Sequence, residues 1–193
     1  MLAYSPLAGI NMYDIRKIQE QVLYGAVKNE SNDETAKRVV YGDDLKPCPE
    51  DNPTWVKNSM RRLEENFDTA AVKKIRMNCQ CGYAMEEKLQ LVQEVMADSS
   101  SLEEFGTHPK ALAAGLSYSE GALNLMFPFC PCPMVAEVDK LDTKTWCQCT
   151  TGYSKVLFEK AFGCEVDVEL LKSIKAGDDI CLMKIIPLGQ VWG

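Results

Sequence analysis

The chain has 193 residues, 46% of them hydrophobic, with 21 basic against 28 acidic side chains and a net charge of -7. That length suits one domain, or one domain with a helical extension, and the apolar content argues against disorder. An acidic balance with no Lys/Arg block and no interleaved aromatic platform argues against nucleic acid and anionic membrane as partners, and no apolar run approaches the ~20 residues of a membrane span.

The start, Met1 to Pro6, has no basic stretch and is broken by Pro6, so an uncleaved, soluble, cytoplasmic protein is the expectation. From Asp14 to about Lys28, Ile15, Ile18, Val22, Leu23 and Val27 recur at helical spacing, ending at the polar cluster of residues 29–32. A second helix opens at Asp33-Glu34-Thr35 with Ala36, Val39 and Val40 on its apolar side. After the Pro-rich break of residues 46–53, Asn52 is placed to cap a helix whose first position is Pro53 and which runs to about Phe67. Asp68 is placed to cap Thr69 to Met77, and Tyr83 to Met96 is again helical. Ser99-Ser100-Ser101 with Glu103 and Glu104 announces one more short helix.

Beyond His108-Pro109 the period changes. Residues 122–127 and 144–150 read as short strands, residues 152–162 as a helix stopped by Gly163, and residues 166–174 and 180–186 as a hairpin around Gly177-Asp178-Asp179. The fold class expected is α+β: N-terminal helices over residues 1–107, packed on a C-terminal antiparallel sheet in residues 108–193, with one helix before the final hairpin. The two regions are expected to form one unit.

Six of the nine cysteines fall in three Cys-x-Cys pairs, Cys79/Cys81, Cys130/Cys132 and Cys147/Cys149. Random placement would give roughly 0.4 such pairs, so three require a cause. In a reducing compartment, the readings are metal ligands, small apolar core residues, or redox and catalytic thiols. As ligands the six thiols would suit zinc or another thiolate-bound metal. Cys130 and Cys132 each precede a proline and favour extended backbone. Tyr118, Phe127, Phe129 and Trp146 lie around the pairs and would wall an apolar ligand cavity, if they are not ordinary core. His108, the one histidine, is a ligand or base only if the fold brings it to the thiols; no G-x-S-x-G elbow is present to support a hydrolytic triad.

The tail adds a resemblance. Cys149-Thr150-Thr151-Gly152-Tyr153, then Gly163, Val166 to Leu170, Ser173, Gly177-Asp178-Asp179 and Cys181 follow one another in an order that resembles the 4-vinyl reductase domain. That domain has the small-ligand-binding fold of nitric-oxide-sensing and Golgi-tethering proteins. A more distant likeness is to L-2-amino-thiazoline-4-carboxylic acid hydrolase-like bacterial proteins, which have a similar Gly-Asp-x-Cys tail. In zinc-bearing members of the first family the resemblance puts Cys147 and Cys181 at ligand positions, while Ser173 stands where a cysteine is expected and Leu170 where an acid is. What it implies is a sensor or accessory protein that binds a small molecule or a metal and can pair as a homodimer. The alternatives are a thiol-dependent hydrolase of a small cyclic or amide substrate, and a structural interaction module.

Overall fold

The computed structural model describes residues 12–46, 50–82 and 84–192; Met1 to Pro6, Cys48 with its flanking prolines, and the expected helix start at Tyr83 lie outside them. Four helices come first: α1 (Met12–Glu30), α2 (Asp33–Tyr41), α3 (Asn52–Asn66) and α4 (Thr69–Met77). Each start after α1 is fixed by a side-chain oxygen that accepts from an otherwise unpaired N–H. Asn32 accepts from the Thr35 N–H at 2.9 Å, Asp51 from Thr54 at 2.7 Å and Asp68 from Ala71 at 2.9 Å. The cap of α3 is therefore Asp51, and Asn52, expected as the cap, is the first helical residue. A carboxylate within reach of the Thr54 N–H takes the position one residue earlier.

The chain continues through α5 (Met85–Ala97), α6 (Leu102–Thr107) and α7 (Pro109–Ala113). Ser101 accepts from the Glu104 N–H at 3.1 Å while the Glu104 carboxylate accepts from the Ser100 N–H at 2.8 Å, a reciprocal clasp on α6. Then come β1 (Leu116–Ser119), β2 (Ala122–Phe127), the long helix α8 (Gln148–Phe162), β3 (Val166–Lys172) and β4 (Cys181–Pro187). The four strands form one antiparallel sheet in the order β1-β2-β4-β3. This is the expected α+β class, with β1 and α7 as elements the sequence pattern did not announce. The stop at Gly163 is as expected: the residue adopts φ +67°, where L side chains are strained, and its N–H donates to Glu159 O at 3.0 Å.

One expected strand is absent. Residues 144–150 turn into a helix, with Cys147 in right-handed helical conformation at the cap of α8, so Cys147 and Cys149 do not share a strand face. Within that span the Thr145 hydroxyl bonds Glu64 of α3, as does the hydroxyl of Thr143 just before it. Thr151 meanwhile donates to Gln148 O at 2.7 Å, inside the first turn.

Two apolar cores result. The first gathers α1–α4 with Met134, Val135, Leu141 and Trp146; the second gathers α5–α7, the inner sheet face and Leu157, Phe158 and Phe162 of α8. α8 touches both, lying on β3 and β4 with one side and against α4 and α5 with the other. At its crossing with α4 the backbones are in direct contact: a Cβ on Gly152 would lie 1.8 Å from Met77 O, so only glycine fits. Gly152→Ala should lower unfolding free energy by about 3 kcal/mol or more, since the overlap is with backbone that must move as a unit. Gly163→Ala has open space around it and should cost only about 1 kcal/mol through its backbone conformation. Chemical denaturation of the two variants checks the ranking.

Candidate functional site

Four segments meet where the two cores join. β2 delivers Phe127, and the chain then extends through Cys130-Pro131-Cys132, with Cys132 at φ -83°, ψ 114°, the extended backbone a following proline favours. A 3-10 turn buries Met134 and Val135 in the first core and so anchors this segment. The return passes Leu141, whose N–H donates to Lys175 O at 2.6 Å, and Lys144, whose Nζ donates to Leu171 O at 2.8 Å, which ties the approach to α8 onto the β3–β4 connection. Trp146 is buried, 5.8 Å from Trp55 in an edge-to-face pair, with its indole N–H donating to Cys132 Sγ at 3.4 Å.

Between these segments is a cavity of about 30 Å³. Cys130, Cys132, Cys147, Cys149 and Cys181 bring five cysteines to its lining, and Phe127, Trp146, Leu170 and Met183 make up most of the remaining wall. Of the residues expected from sequence, two Cys-x-Cys pairs, Phe127 and Trp146 are thus brought together. Tyr118 lies elsewhere, packed with its backbone against Gly106 of α6, and Phe129 is 42% exposed and off the cavity wall. The third pair is off the cavity wall. Cys79 is fully buried and donates to Ile75 O at 3.1 Å, while Cys81 is exposed. The Cys149 thiol is the link, near enough that a charge on it would act on Cys79, and that charges on Cys81 and Cys132 would act on it.

Burial governs the thiol chemistry. Desolvation pushes Cys147 up to about 12 and Cys149 up to about 11, and Cys130 and Cys132 also rise for the same reason. Ser173, at 3.2 Å from Cys147 Sγ, works against the rise, as does Arg76 for Cys149. His108 does not join the thiols. It caps α7, its Nδ1 accepting from the Lys110 N–H at 3.2 Å and its Nε2 3.7 Å from Asp98. Among the described residues no three Cys, His, Asp or Glu side chains are already set to hold a metal ion.

Sequence reasoning missed Met183 and Arg76, and the resemblance alone pointed to Cys181. Arg76 had a legible signal: Val72, Ile75, Arg76 and Cys79 follow the i, i+3, i+4, i+7 stripe of a buried helix face.

The arrangement defines an α+β protein with a thiol-lined cavity where a helical layer meets an antiparallel sheet. The chain belongs to a family of unknown function, DUF6144, whose model matches residues 12–192. No curated protein and no solved structure matches it. No described helix is long and apolar enough to cross a membrane.

The raised thiols make stability depend on pH. Unfolded cysteines release their protons near 9.0, whereas the folded protein holds those of Cys147 and Cys149 to about 12 and about 11, so between these values the unfolded state binds fewer protons. Its share therefore grows as pH rises. The reduced protein should lose stability steadily above pH ~9, and the Cys147→Ser/Cys149→Ser double variant should show a shallower loss; urea midpoints from pH 8 to 11 measure the difference.

Proposed function

We propose that this protein binds a soft metal ion through its clustered cysteines and works as a metal-binding sensor or accessory protein. The observation that carries this reading is the convergence of Cys130, Cys132, Cys147, Cys149 and Cys181 on one cavity. Its volume, about 30 Å³, favours an ion or a water-sized guest over an organic ligand, whose pockets run to about 300–1,000 Å³. Thiolates select zinc, copper(I) and similar ions over hard cations. The resemblance to 4-vinyl reductase domains supports the same reading, because Cys147 and Cys181, its two retained ligand positions, both line the cavity.

The raised thiols weigh against a hydrolase, since a catalytic cysteine needs a lowered pKa and a partner base, and His108 is engaged at α7. A metal ion would displace the thiol protons, so binding should weaken as pH falls.

A soft metal ion added to the reduced, chelator-treated protein should protect at least two thiols from a disulfide reagent and raise the melting temperature, by an amount equivalent to about 2.7 kcal/mol at a hundredfold excess over the dissociation constant. Cys147→Ser/Cys149→Ser should abolish both effects. Unchanged thiol reactivity with every soft metal tried would sink the reading, and one hyper-reactive cysteine in metal-free protein would favour the hydrolase.

A homodimer belongs to the same reading as the route by which occupancy is passed on. Light scattering should then give twice the chain's 21.6 kDa at micromolar concentration.

A further inference from the structure

The buried face of α4 carries a cation with too few partners. Arg76 is fully buried, its Cζ 4.3 Å from the centroid of the Trp146 ring, and its Nη2 donates to Trp146 O at 2.9 Å. Its Nε and Nη1 are buried and reach no oxygen or nitrogen acceptor, and the side-chain group that the guanidinium does meet there is the Cys79 thiol. A buried positive charge without a counter-charge is strongly unfavourable. An anion therefore belongs beside it. Two thiols, Cys79 and Cys149, lie close enough to feel its charge and to act on each other.

We propose that Cys79 and Cys149 are the binding pair for a monovalent soft cation of the copper(I) class, with Arg76 as the built-in counter-cation. The inference rests on the metal-binding reading above and says which ion the site prefers. Ligand number decides it. Among the described residues no three Cys, His, Asp or Glu side chains are set to hold an ion, whereas two thiolates suffice for copper(I), and that pair then carries a single negative charge, which Arg76 neutralises. Cys149 lines the cavity, whereas Cys79 is fully buried and off its wall, so an ion would enter by way of Cys149.

The test is anaerobic titration of reduced protein with copper(I) in competition with a colorimetric chelator, with zinc as the rival metal. Wild type should take one copper(I) that excess zinc does not displace. Arg76→Met should weaken copper(I) binding by about tenfold or more, Arg76→Lys should retain most of it, and Cys79→Ser should remove it, with circular dichroism confirming that each variant folds. Equal losses in Arg76→Met and Arg76→Lys would show that packing, not charge, is at work and would overturn the inference. Zinc bound by wild type in preference to copper(I) and indifferent to Arg76 would also overturn it, leaving the metal-binding reading standing. Wild type that binds neither ion would end both.

Discussion

The contact between the end of α4 and the first turns of α8 sets the rest of the molecule. Because Gly152 has no side chain, the Met77 carbonyl reaches the α8 backbone, and everything on either side of those residues is drawn together with them. Arg76 stacks on Trp146, and Cys79 comes near Cys149, although some seventy residues separate each pair in sequence. Any side chain at position 152 would hold the two helices apart and part the first core from the second.

Trp146 is the next consequence of that contact. With Trp55 edge-on at one side and Arg76 over its face, it has little freedom, and its indole N–H is directed at the sulfur of Cys132. A rigid aromatic thus fixes one wall of the cavity while the sheet supplies the opposite one through Leu170 and Met183. The apolar walls desolvate the thiols, which therefore stay protonated and react slowly with electrophiles.

Much of this was legible in the sequence where local chemistry decides the outcome. Asp68, Ser101 and Gly163 act at the helix ends where their types predict, and the alternation of Val166, Val168 and Leu170 correctly gave β3 its inward face. What could not be read is where long-range contacts override local preference. Residues 144–150 have a strand's composition, but Glu64 of a distant helix takes the Thr145 hydroxyl, and the Gly152 contact favours a helix that starts four residues earlier than the pattern suggested. Ile18 looked like core and is 38% exposed, because Gln19 occupies the buried side of α1. The cysteine spacing named most of the site; the stripe on α4 marked Arg76 as buried, and only the fold could add Met183 and what the guanidinium meets.

The strand order has a consequence for how the molecule assembles. β1 with β2, and β3 with β4, are neighbours in the chain and close as local hairpins, but the central pairing of β2 with β4 waits until the whole of residues 128–180 has been looped back. Phe127 is paired with Cys181 at that seam, and both lie on the cavity wall. The thiol cavity is therefore among the last features to form, since closing so long a loop costs entropy before any contact offsets it. On a ribosome, Cys130 through Cys149 emerge before β4, and the cavity that they line stays open to solvent and to oxidants until the last strand is in place.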